Sequence, residues 1–163
     1  MAILSIRLYP DKILRKKCQV VTKITAEERK LIKDMIETMY SAEGVGLSAP
    51  QVGVSKRIFV ANPSRERGKE WVIINPRLLK KTGQEILSEG CLSLPGISAE
   101  VKRYKKLLLK YEDLSGEERV IPLEGLLARI VQHETDHLDG ILFIDRLGIF
   151  KRFKLLQKFK NKR

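Results

Sequence analysis

Cysteine and histidine are scarce in this chain, with two of each in 163 residues. Two cysteines, Cys18 and Cys91, exclude a disulfide-dense secreted scaffold. They leave room for one bridge at most and fit a reducing compartment. No stretch approaches the roughly 18–20 apolar residues that span a bilayer. The opening MAILSIRLYPDK has no basic start followed by an apolar run and a small-residue cleavage site. A soluble cytoplasmic protein without a membrane partner is expected. Glycine (11) and proline (6) are too few for a collagen-like or Pro-rich fibrous chain. Internal repeats and low-complexity linkers are missing, and the length suits one ordinary domain rather than two. Residues 1–163 are therefore expected to form a single domain.

Basic residues are abundant. Lysine and arginine number 32 against 20 acids, a formal net charge of +12, which makes an anionic partner worth considering without bearing on fold. Residues 1–24 read as a wrapping segment. Thr25 and Glu28 have capping-box spacing, and Leu31, Ile32, Met35, Ile36 and Met39 follow at helical intervals, with Gly44 as the stop. Strands are expected near 57–61, over 71–75 (ended by Pro76), over 78–88 and over 101–111, the last leading into a turn at EDLSGEE. Pro122 suits a first helical turn. Leu123, Leu126, Leu127, Ile130, Val131 and Leu138 then make a mostly buried helix that Gly140 terminates. The expected architecture is α+β: antiparallel or mixed strands around that central helix, with an N-terminal helix and a short C-terminal one.

The tail, residues 148–163, stands apart. Its lysines and arginines number seven with no acid, and without them the net charge falls from +12 to +5. Lys151, Lys154, Lys158 and Lys162 stack on one helical face, with Phe150, Phe153, Leu156 and Phe159 on much of the other, the pattern of a basic amphipathic helix.

Both histidines fall in HETDH, residues 133–137, inside the most apolar predicted helix. Residues four apart share a helical face, so His133 and His137 can reach one metal, and Glu134, one step round, can address a water on it. The bland alternative is a partly buried helix with two stacked histidines. Catalytic sites commonly use three protein ligands and an open position. No third histidine exists, and after His137 the chain reads LDGILFID, which excludes the longer HExxHxxGxxH pattern. The third donor is then a Cys, Asp or Glu. Cys91, in a Gly-containing turn, is the attractive candidate; a lone cysteine is more often core filler, and Cys18 has only Lys and Gln beside it.

Three segments together resemble the peptide deformylase family: Gly44-Val45-Gly46-Leu47-Ser48-Ala49-Pro50-Gln51, Glu89-Gly90-Cys91-Leu92-Ser93, and Gln132-His133-Glu134-Thr135-Asp136-His137-Leu138, extended by Asp139-Gly140. Their order and spacing match along residues 1 to about 147. Ser48 stands where the family usually has alanine. The resemblance implies hydrolytic removal of the formyl group from N-formylmethionyl nascent peptides. It implies one divalent metal per chain on Cys91, His133 and His137, iron(II) in the cell, with zinc, nickel or cobalt also suited to the donors. Glu134 would be general base and then general acid; the Leu92 N–H and the Gln51 side-chain amide would meet the developing oxyanion. Val45, Gly46, Gly90, Leu126 and Arg129 would contact substrate, Arg129 with its stem at the pocket rim and its charge in solvent. Gln132, Asp136 and Glu89 would support the ligands from behind. Some relatives use a C-terminal helix on the ribosome, so the tail is a candidate for that contact; a DNA partner is not expected. Two rivals remain, a small metallopeptidase or amidase of another specificity and a basic RNA-binding module whose metal is structural and closed by four ligands.

Overall fold

The computed structural model describes residues 1–162; the notional basic charge of Arg163 lies outside them. Helix α1 spans Ala26–Ser41. Its capping box forms as the sequence requires: the Thr25 hydroxyl accepts from Glu27 N at 3.2 Å, and Glu28 accepts from Thr25 N at 2.9 Å. Two sheets follow. Strands β1 (Gly46–Ser48), β2 (Ile58–Ala61), β3 (Trp71–Thr82), β6 (Lys106–Glu112) and β7 (Glu118–Glu124) form one antiparallel sheet in the order β1-β2-β3-β6-β7. Strands β4 (Glu85–Gly90) and β5 (Ser98–Arg103) pair separately as an antiparallel ribbon. Helices α2 (Gly125–Leu138) and α3 (Ile149–Asn161) complete the α+β chain.

The large sheet lies between α1 and α2, which explains why β2 is apolar at every position rather than alternating. Ile58 and Val60 pack with Ile32, Met35 and Met39 of α1. Phe59 and Ala61 point the other way, to Ala128, Val131 and Leu138 of α2. A third cluster joins Leu94, Ile97 and Val101 to Leu14, Phe143 and Phe159. The wrapping N-terminal segment is tied down by single bonds, among them Tyr9 N to Ser93 O at 2.9 Å and Cys18 N to Leu138 O at 2.8 Å. Both cysteines are free, so no bridge joins them.

Several sequence expectations are corrected. Pro76 does not end a strand: β3 continues to Thr82, with a register shift between Ile74 and Arg77 and Asn75 at φ 51. The bulge absorbs a residue that cannot donate to the ladder. Residues 78–88 divide between β3 and β4, and 101–111 divides at Tyr104 into β5 and β6. Pro122 lies in β7, opposite Leu108, and the helix starts three residues later at Gly125. β7 is an edge strand, where a missing N–H is tolerated. Gly125 has φ +67, the left-handed turn that swings the chain from sheet to helix. Helix α3 is docked in part. Phe159 is buried against Tyr9, with ring centroids 6.2 Å apart, but Phe150 and Phe153 are exposed. No described helix is long and apolar enough to cross a membrane.

Candidate active site and metal centre

Eleven of the fourteen residues of α2 are buried, and they include Arg129, Gln132, His133, Glu134, Asp136 and His137. Buried polar groups require partners, and their partners define the site. Cys91 follows β4 directly, in a turn closed by Leu94 N to Cys91 O at 3.0 Å. That turn faces α2. The Sγ of Cys91 lies 3.3 Å from Nε2 of His137. One ligand atom from each of Cys91, His133 and His137 falls within 4.8 Å of the others. One soft thiolate and two imidazoles make a donor set that iron(II) and zinc accept. Burial, reinforced by His133, holds His137 well below the usual imidazole range, in the neutral form a ligand requires.

Glu89 organises the rear of the site. Burial pushes its carboxyl up, but hydrogen bonds from His133 and Arg103 outweigh it and bring the value down to about 2. The carboxylate is therefore ionised, and His133 Nδ1, 3.0 Å from Glu89 Oε2, carries the proton. A metal taking the place of a second ring proton would bind the other nitrogen. Glu89 also accepts from Arg103 at 2.9 and 3.0 Å and from Arg129 at 2.7 Å. Asp136 accepts from Arg103 at 2.6 Å and from Arg146 at 2.6 and 3.0 Å. It thus reaches the imidazoles only through Arg103 and Glu89. Gln132 does not serve the ligands: its amide pairs with the backbone N and O of Tyr104, each at 2.9 Å, clamping the corner between β5 and β6. The Nδ1 of His137 is buried and without a partner among the described residues.

A cavity of ≈ 490 Å³ opens over the cluster, lined by Val45, Gly46, Gln51, Glu89, Gly90, Cys91, Leu92, Leu126, Arg129, His133 and Glu134 among others. The Arg129 charge does not reach solvent as expected. Its guanidinium is buried and donates to Glu89, Val101 O (3.0 Å) and Glu85 O (3.0 Å), because the β4–β5 ribbon closes over it. Leu126 is the exposed rim residue instead. Glu134 is buried, its Oε2 has no partner among the described residues, and burial pushes its carboxyl up to about 7. A carboxyl poised near neutrality suits proton transfer in both directions.

Gln51 sits in a 3-10 turn, Ala49–Val52, behind β1. Its Oε1 accepts from Ser48 N and Ser48 Oγ, both at 2.9 Å, which fixes the amide's orientation. Its NH₂ then points to Cys91 Sγ (3.5 Å) and Ser93 Oγ (3.2 Å). The Leu92 N–H donates to no described residue. Three contributors escaped the sequence analysis as supports. Ser48 and Ser93 hold Gln51 in place, and Arg103 joins Glu89 to Asp136. Nothing in VKRYKK distinguishes Arg103 from its basic neighbours; only the fold buries it.

The family model described as polypeptide deformylase matches residues 3–153. A peptide deformylase of Thermodesulfovibrio yellowstonii is 48% identical over 165 residues, covering all of both chains. A peptide deformylase 1 of Clostridium perfringens is 52% identical over 145 residues, 89% of this chain and 98% of that one. The crystal structure of a peptide deformylase from Legionella pneumophila superposes with a TM-score of 0.94 at 41% identity, covering 98% of this chain and 95% of the other. The matched span takes in the Gln51 turn, the Cys91 turn and the histidine helix, and on that match the chain belongs to the polypeptide deformylase family.

Proposed function

We propose that this chain hydrolyses the formyl group from the N-terminal methionine of nascent polypeptides in the cytoplasm. The observation that carries the reading is a buried Glu134 carboxyl, its Oε2 without a partner among the described residues, lining the same cavity as the Cys91 and His133 donors. Cys91, His133 and His137 would hold one divalent metal, iron(II) in the cell. When bound, that ion supplies a Lewis acid for the formyl carbonyl and makes water more acidic. Glu134 takes the proton of the attacking water and returns it to the departing amine. The Gln51 NH₂ and the Leu92 N–H donate to the oxyanion oxygen as charge develops on it. Glu89 orients His133, Arg103 helps hold Glu89 ionised, and Arg129 donates to the same carboxylate. The substrate's peptide has room to lie extended between two strand edges. β1 is an edge of the large sheet and β4 an edge of the ribbon, and Gly46 and Gly90 from them line the cavity. Val45 and Leu126 give the methionine side chain apolar walls.

Residues 1–163 act on this reading as one catalytic domain. The tail is a candidate ribosome contact: α3 presents exposed Ile149, Phe150 and Phe153 beside its lysines. Deleting residues 150–163 would then weaken binding to ribosomes at low salt and leave peptide hydrolysis intact.

The deciding experiment is anaerobic hydrolysis of formyl-Met peptides beside their unformylated counterparts, with metal content measured on the same sample. The expected result is one metal per chain, activity confined to the formylated peptides, loss of metal in Cys91→Ala, and metal retained with little activity in Glu134→Ala. Cleavage of unformylated peptides at comparable rates would assign a metallopeptidase instead.

A further inference from the structure

A second cavity, ≈ 420 Å³, shares no lining residue with the first. It lies on another side of α2, against Gln132, Thr135, Asp136 and Asp139, with β3 and the β5–β6 corner as its walls. Its lining is strongly cationic: Arg57, Arg77, Lys81, Lys102, Arg103 and Arg146 face only two carboxylates, Asp136 and Asp139. Those two are already engaged. Asp136 pairs with Arg103 and Arg146, and Asp139 with Arg57 at 2.7 Å. Arg77, Lys81 and Lys102 pair with no carboxylate among the described residues, so their charge is left uncompensated at the mouth.

A bound oxyanion would accept from these three free cations, which neutralise its charge. Tyr104, 37% exposed, adds an aromatic ring at the edge, with Lys81 Nζ 5.4 Å from its centroid.

We propose that this cavity binds a phosphate group, contributed either by free phosphate or a mononucleotide or by an RNA backbone. A phosphate group concentrates negative charge on several acceptor oxygens, which the planar Arg77 guanidinium and the two lysine ammonium groups can share. None of Arg77, Lys81 or Lys102 belongs to the metal cluster or lines the first cavity.

The test is calorimetric titration of the metal-loaded enzyme at low salt with inorganic phosphate and, separately, with a short oligouridylate. The proteins are the wild type and the combined variant Arg77→Ala/Lys81→Ala/Lys102→Ala. Saturable binding of one anion per chain is expected, weakened roughly tenfold or more in the combined variant. Formyl-Met peptide turnover by the combined variant should match wild type, which shows that it is folded and metal-loaded. Tighter binding of oligouridylate than of phosphate, with the same loss in the variant, assigns an RNA backbone. Phosphate binding without that gain assigns a free phosphate or mononucleotide. No saturation by about 20 mM of phosphate or oligouridylate phosphate, or equal affinity in the combined variant, overturns the proposal.

Discussion

Gly46 gives the sharpest test of how Glu134 is placed. It lies in β1, paired with Ala61, and its backbone faces the histidine helix. A Cβ at this position would stand 2.5 Å from Glu134 Oε1, 2.9 Å from Ile130 Cγ2 and 3.1 Å from Glu134 Cδ. Ordinary contact begins near 3.4 Å, so the carboxylate oxygen must retreat by about 0.9 Å. The β1 backbone is paired to β2, so the side chain of Glu134 will give way before it does. Displacing a reacting group by about 1 Å costs on the order of 10²-fold in rate, or about 2.7 kcal/mol in barrier. Overpacking adds about 1–3 kcal/mol of lost stability. Gly46→Ala should therefore lower kcat for formyl-Met peptide hydrolysis about 100-fold, retain metal, and lower Tm modestly. If Gly46→Ala retains kcat within about twofold of wild type, the placement of Glu134 against β1 is wrong.

Other perturbations address separate parts of the same structure. Gln51→Ala should cut kcat by about 10²–10³ with little change in metal content, as expected for one lost oxyanion donor; an effect on KM alone would remove Gln51 from that role. Arg129→Met should lower stability by about 3 kcal/mol in denaturant unfolding, because Glu89 loses one of its two buried guanidinium partners. Glu28 is held at about 2, below its ordinary 4.5, first by Lys56 and then by Thr25. A depressed carboxylate stabilises the fold fully above about pH 4.5, and the effect fades as pH falls through about 2. Glu28→Gln should therefore flatten the acid limb of Tm against pH across that window and give a constant offset above it. An unchanged acid limb would show that Glu28 does not contribute to it.

How much was legible in the chain depended on whether the signal was local. The Thr25–Glu28 capping box and the periodicity of α1 are contained within a few turns, and they appear in the structure as read. The i, i+4 spacing of His133 and His137 likewise follows from helix geometry once a helix is assumed. The edge position of β7, which tolerates Pro122, and the bulge that carries β3 through Pro76 depend on which strands pair. Local propensity says nothing of that. Arg129 shows the same limit. An arginine on an amphipathic helix reads as a rim residue, yet the separate β4–β5 ribbon supplies Glu89, Val101 O and Glu85 O to bury its charge.

The amino-acid order by itself determined that there is one domain of mixed helix and strand, a histidine pair on one helical face with a glutamate beside them, and a basic tail. Tertiary structure alone decided that Cys91, more than forty residues upstream, comes within 3.3 Å of His137, that Gln51 turns its amide toward that sulfur, and that burial lifts Glu134 to about 7. The division has a physical cause. Spacing along a helix is set by covalent geometry and backbone hydrogen bonds. Burial, a carboxyl's proton affinity and the meeting of distant donors depend on what the rest of the chain removes from water.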